Sequence, residues 1–157
     1  MRHHTKDKGD LAVGQVIADL VRQGAQVLLP ISEHLPFDLV AVSLLSSDLR
    51  RIQVKYASAR NGTLTINLRN CHSDRRGVHH RRISLDTIDA FAVFCPETNT
   101  VYYVRQDEIP DGCRAEFFLR LTAARNGQVR RIRPAVNFEG AMRIFGPVAQ
   151  MDRARDF

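Results

Sequence analysis

Leu35-Pro36-Phe37-Asp38-Leu39-Val40, followed after an apolar stretch by Arg51-Ile52-Gln53-Val54-Lys55-Tyr56, is the part of the chain that sets its architecture. Leu39, Ile52 and Val54 alternate with the polar positions Asp38, Gln53 and Lys55, the period of two expected of strands with one buried face. Folded back about Ser46-Ser47, the two runs form an antiparallel hairpin with Asp38 opposite Lys55 and Val40 opposite Gln53. A carboxylate, an amide oxygen and an ammonium then converge on one face, and the apolar partners turn under a layer of helices. The chain holds 20 Arg but only three Lys, so a Lys within a strand points to a task for a compact ammonium that the Arg fork does not perform. The alternative is an edge strand on which Lys55 blunts aggregation.

Upstream, Gly9 and Asp10 open an amphipathic helix in which Val13, Ile17, Leu20 and Val21 recur at helical spacing, and Gly24 ends it. Gln26-Val27-Leu28-Leu29-Pro30 reads as a short strand. Downstream, Asn61-Gly62 supplies a tight turn into a strand over 63–68. The segment 70–82 is polar and is left without regular structure, and Ser84 and Asp86 begin a short helical turn. Phe91-Ala92-Val93-Phe94-Cys95 reads as a buried strand, turned back by Pro96-Glu97-Thr98-Asn99 into Val101-Tyr102-Tyr103-Val104. One more strand is expected over 116–121. Together these give an α/β fold in which one helix precedes a meander of strands.

At 157 residues, 44% hydrophobic and 25% charged, the chain has the size and composition of one globular domain. A formal net charge of +6 favours an anionic partner, with nucleic acid the default for a basic domain that has no amphipathic membrane helix. The N-terminus lacks the apolar core of a signal peptide and no run reaches membrane-spanning length, so a cytoplasmic protein is expected. Cys71, Cys95 and Cys113 are odd in number and widely spaced, against a disulfide framework. No Gly-x-Ser-x-Gly elbow and no glycine-rich phosphate loop occurs. Cys71, His72, His79 and His80 offer thiolate and imidazole ligands for zinc, but their spacing lacks the paired clip of structural zinc sites, and a polar loop is expected there.

Four stretches together resemble the group I intron-associated PD-(D/E)xK homing endonucleases. They are Lys8-Gly9-Asp10-Leu11-Ala12 opening the helix, Leu35 to Val40, Arg51 to Tyr56, and Asp89-Ala90-Phe91-Ala92-Val93 leading to Tyr102-Tyr103-Val104. The resemblance covers most of the chain. It implies a restriction-endonuclease-like core, a central mixed β-sheet flanked by helices, over residues 6–122, with 123–157 a basic C-terminal segment without regular structure. It also implies Mg²⁺, replaceable by Mn²⁺, held by Asp38, Gln53 and the Val54 backbone carbonyl, with Lys55 serving the nucleophile, and double-stranded DNA as substrate for a homo-oligomer. Asp38, Gln53 and Lys55 are thus the expected catalytic residues.

Members of that family usually carry a glutamate one residue after the alanine of the helix opening, where this chain has Val13. One carboxylate beside a neutral amide is a weak set for a hard dication. Asp10 and Glu33 are the candidate replacements. The alternatives are therefore an active Mg²⁺-dependent endonuclease and a decayed relative that binds DNA without cutting it; a junction-resolving or repair nuclease on the same scaffold is the third. Arg75, Arg76, His79, His80, Arg81 and Arg82 form one expected DNA-contacting cluster, and Arg125, Arg130, Arg131 and Arg133 a second. Residues 146–157 resemble the conceptual translation of a tRNA gene, as suits a mobile element.

Overall fold

The computed structural model describes residues 4–32, 34–74, 77–111, 113, 115–123 and 132–146, with the backbone alone for 4, 70–74 and 78–82. A single long helix, α1 (His4–Arg22), leads into β1 (Ala25–Leu28), β2 (Leu39–Ser43) and β3 (Leu49–Tyr56). A second group follows: β4 (Ala59–Arg60), β5 (Thr63–Asn67), β6 (Arg69–Asp74) and β7 (Gly77–Arg82). β8 (Ala90–Cys95), β9 (Thr100–Arg105) and β10 (Glu116–Arg120) complete the strands. The central sheet runs β1-β2-β3-β8-β9, and only its β3–β8 pair is parallel. This is the mixed α/β architecture expected from the helix-then-meander order.

Alternation decides which residue faces which layer. Leu39, Ala41, Ile52, Val54, Ala90, Ala92 and Phe94 share one core with Ala12, Val16 and Leu20 of α1. Three of those sheet residues are alanines, and such small side chains let a helix approach the strands closely. Phe91, Val93, Cys95, Tyr102 and Val104 point the other way, into a second core with Leu64, Ile66, Phe117 and Leu119 of the three-stranded sheet β10-β5-β4. All six residues of β8 are buried, so this strand is an uninterrupted apolar run, as expected of one covered on both faces.

The helix is longer than the sequence suggests and its stripe is rotated. It begins at His4 rather than Gly9, and the Lys8 ammonium lies 5.4 Å from the centre of the Tyr56 ring, a cation–π contact that ties the first turns to the sheet. Ala12, Val16 and Leu20 are fully buried, Val13 and Ile17 flank them, and Val21 is exposed. Gly24 closes the helix in a left-handed conformation, as expected.

The segment 70–82, expected to be irregular, is instead spanned by the hairpin β6–β7, with Cys71 opposite His80 and His72 opposite His79. Its base is closed by Ile83 N–H donating to the Leu68 carbonyl at 3.0 Å, between two buried side chains.

Part of the C-terminal segment also differs from expectation. Ala135, Phe138, Ala141 and Ile144, three residues apart on two 3-10 turns, are all buried, matching the three residues per turn of that helix. Gln23 Oε1 accepts a hydrogen bond from Ala141 N–H at 2.6 Å, fixing this return to the end of α1. Residues 124–131 and 147–157 lie outside the described residues. At Asn61-Gly62 the expected turn is present with both residues at positive φ, and a Cβ on Gly62 would fall 2.1 Å from Thr122 Oγ1; only glycine fits there.

Candidate active site

β2 and β3 pair with Leu39 opposite Ile52 and Val40 opposite Arg51, a register two residues removed from one centred on Ser46-Ser47. The cause is the turn. Ser43, which is buried, accepts hydrogen bonds on its hydroxyl from the N–H groups of Leu45 and Ser46 at 3.3 and 3.2 Å, so the chain reverses one residue early. Asp38 accordingly sits nearest Ile52 and Gln53 rather than directly opposite Lys55. A slip of one would have flipped the faces; a slip of two preserves them.

Asp38 N–H donates to the Ile52 carbonyl at 2.9 Å, although Leu39 is the ladder partner of Ile52. Two residues thus answer to one, the count of a β-bulge, which re-aims a side chain at a strand end. The Asp38 carboxylate turns onto β3: its Oδ2 accepts from Val54 N–H at 2.6 Å and from the Gln53 side-chain amide. Since the N–H and C=O of one strand residue point the same way, the Val54 carbonyl faces the same edge.

Gln53 and Lys55 lie two residues apart on the face of β3 turned away from α1, and Gln53 is only 7% exposed. Burial raises the Asp38 carboxyl above its ordinary value, against the lowering effects of Val54 N–H, the Lys55 charge and Gln53. Burial likewise lowers the Lys55 ammonium, and the Asp38 charge acts against that. The two groups therefore sense one another within one partly dehydrated site. Lys55 Nζ also donates to the Arg69 carbonyl at 3.4 Å, so the base of the β6–β7 hairpin meets the site.

The fit for a divalent cation can be judged from the donors. One carboxylate, one amide and one backbone carbonyl are hard oxygen ligands, the kind that Mg²⁺ takes. As folded here, however, Gln53 offers Asp38 its N–H₂; presenting oxygen beside the carboxylate requires the amide to turn over, an exchange of near-isosteric groups. Asp10 is exposed on α1, and among the described residues no three His, Cys, Asp or Glu side chains converge. Glu33 lies outside the described residues. Val13 packs against the helix-side core. The donors fit a hard cation, with a single formal charge to hold it.

Arg51, on the same face, is clamped by Asp89: its N–H, Nε and Nη2 reach the two carboxylate oxygens at 2.7, 3.1 and 2.9 Å. Arg51 holds the Asp89 carboxyl below the usual range. The pair straddles the start of β3 and β8. The residue pattern of the sequence left its structural role unread, although Asp89 headed one of the informative stretches.

Of the expected DNA-contacting residues, His79, His80, Arg81 and Arg82 are placed on β7. Arg75, Arg76, Arg125, Arg130 and Arg131 lie outside the described residues. Arg133 stacks over the Phe117 ring at 4.7 Å. No helix among the described residues is long and apolar enough to cross a membrane.

Comparison with curated proteins yields no match. Among solved structures, the chain is similar to a bacterial homing endonuclease, I-Ssp6803I, with a TM-score of 0.69 and 25% sequence identity over 91% of this chain and 93% of that one. The sequence profile of PD-(D/E)XK endonucleases matches residues 3–141. A match spanning that much of the sequence, on a fold that gathers Asp38, Gln53 and Lys55 at one strand end, places the chain in the PD-(D/E)XK endonuclease family, as a DNA endonuclease.

Proposed function

We propose that this protein hydrolyses phosphodiester bonds of double-stranded DNA in a Mg²⁺-dependent reaction of the homing type, with Mn²⁺ able to replace Mg²⁺. The observation that carries this is the convergence of Asp38, Gln53 and Lys55, with Asp38 Oδ2 held at 2.6 Å by Val54 N–H. Asp38, Gln53 and the Val54 carbonyl hold the cation, whose chemistry when bound is Lewis-acid polarisation of a phosphate oxygen and acidification of water. Lys55, its ammonium partly dehydrated and under the influence of the Asp38 charge, orients the attacking water and offsets the charge that develops on phosphorus. The basic β6–β7 hairpin supplies contacts to the phosphate backbone.

Purified protein mixed with supercoiled plasmid and Mg²⁺ or Mn²⁺ is expected to give nicked or linear product, abolished by Asp38→Asn. A second reading, a relative that binds DNA but no longer cuts, is favoured by the single carboxylate and by Val13 where a glutamate is usual. Gel shifts that persist when neither metal supports cleavage would establish that reading over the first.

A further inference from the structure

Arg51 and Asp89 are joined by more than the sheet needs. The seam between β3 and β8 is already held where it begins: Asp89 N–H donates to the Arg51 carbonyl at 2.8 Å, and Arg51 N–H to Asp89 Oδ2 at 2.7 Å. To this the carboxylate adds the guanidinium, accepting from Nε at 3.1 Å and from Nη2 at 2.9 Å. As a brace the added contact achieves little, because the two side chains are 41% and 32% exposed and ion pairs so open to water contribute little stability. As a means of aiming a cation it is effective, since a bidentate carboxylate fixes the plane of a guanidinium.

Of the five N–H bonds in that fork, Nε–H and both on Nη2 are engaged, the last by the Asp86 carbonyl at 3.2 Å. Nη1 has no hydrogen-bond partner among the described residues. Arg51 shares its face of β3 with Gln53 and Lys55, about 7 and 13 Å away along the strand at 3.3 Å per residue. Opposite it on β2 is Val40, which follows Asp38 on the same face. Arg50 and Asp86 are the other charges felt by the pair, so the neighbourhood is close to neutral. An anion is therefore drawn to Nη1 by direct bonds and not by a long-range field.

We propose that Arg51 binds a phosphate of the DNA strand being cut, next to the one attacked, with Asp89 as the positioning residue that holds the guanidinium ready. The choice of ligand rests on the nuclease reading. Charge-assisted bonds from Nη1 to a phosphate oxygen are directional, and a side chain aimed beforehand loses little freedom on binding. The contact then fixes the register of the strand against Asp38 and Lys55. Lysine does not serve two partners in this way, because a compact ammonium has no second edge.

The test uses the full-length protein and the double substitution Arg51→Gln with Asp89→Asn, which removes one charge of each sign and leaves the net charge unchanged. Binding of a fluorescent duplex of mixed sequence is titrated against salt without metal, and nicking of supercoiled plasmid is timed with Mg²⁺. The slope of log K against log salt is expected to become shallower by about 0.9, the value of one phosphate contact, with nicking slower by roughly tenfold or more. Should that variant fail to fold, Arg51→Met with Asp89→Leu, equally neutral and apolar throughout, carries the same expectation. An unchanged slope in a folded variant overturns the inference even if nicking slows, because the pair then only braces the sheet, and cutting by the wild type leaves the nuclease reading intact. A slope that falls in a protein that never cuts sinks the nuclease reading and leaves the phosphate contact standing.

Discussion

Replacing Gln53 by Glu tests the site most directly, because Gln53 donates to Asp38 Oδ2 and is almost fully buried. The substitution removes a hydrogen bond to a carboxylate, roughly 1.5–3 kcal/mol, and sets two acids side by side, so that one retains its proton well above the ordinary range. A destabilisation of about 3 kcal/mol without metal corresponds to roughly 6–12 °C in Tm for a chain of this length. The sign with pH follows: a raised carboxyl contributes stability that is present in acid and lost as pH rises through its folded value, so the deficit is largest at pH 8 and shrinks toward pH 5. Divalent cation reverses the effect, since two carboxylates bind it more tightly; each tenfold gain in affinity adds about 1.4 kcal/mol at saturation. Differential scanning fluorimetry of both proteins, with and without 10 mM-scale Mg²⁺ or Mn²⁺, reads all of this. A variant that melts like the wild type at pH 8, or gains no more from metal, would refute the contact between residues 38 and 53 and the ligand role assigned to both.

Asp38→Asn is expected to abolish cleavage while keeping or raising Tm near neutral pH, because Asn escapes the cost of a buried charge; calorimetry beside a plasmid assay checks both. Lys55→Ala should lower the cleavage rate by about 10²–10⁴-fold with little change in DNA affinity by gel shift. The pH profile of cleavage should be bell-shaped, its acid limb above the ordinary carboxylate value because Asp38 is raised and its alkaline limb below the ordinary lysine value because Lys55 is lowered. Val13→Glu is expected to increase the cleavage rate if position 13 is the missing ligand, and loss of Tm without any gain would show that it is only a core position. Tyr103→Phe should cost about 1–2 kcal/mol, since its hydroxyl donates to Asp19 at 2.7 Å in a buried setting; urea unfolding measures this.

The face on which Asp38, Gln53 and Lys55 meet was legible because a strand has only two faces, and any even shift of register keeps a residue on its own. The register itself was not legible. It depends on the Ser43 hydroxyl capturing two N–H groups of the turn, and serines at 43, 46 and 47 offer competing reversals. The start of α1 escaped because Lys8 is stabilised by Tyr56, 48 positions away, while local sequence pointed to Gly9. The β6–β7 hairpin has no apolar alternation to betray it; its signal is the pair of buried residues Leu68 and Ile83 that bracket a polar run. The three-residue spacing from Ala135 to Ile144 was present in the sequence, but 3-10 periodicity is easily lost among prolines, glycines and arginines.

The pairing of β3 with β8 sets its own order on assembly. Each ladder partner is 38 positions from its mate, Ile52 with Ala90 and Val54 with Ala92, and closing a ring of that size costs about 1.5RT ln n before any contact rewards it. Both cores draw side chains from β8, Ala90, Ala92 and Phe94 on one side and Phe91, Val93 and Cys95 on the other, so the seam that places Gln53 and Lys55 beside Phe91 and Val93 cannot part without exposing both. The burial that shifts Asp38 and Lys55 in opposite directions is thereby tied to the most protected part of the sheet.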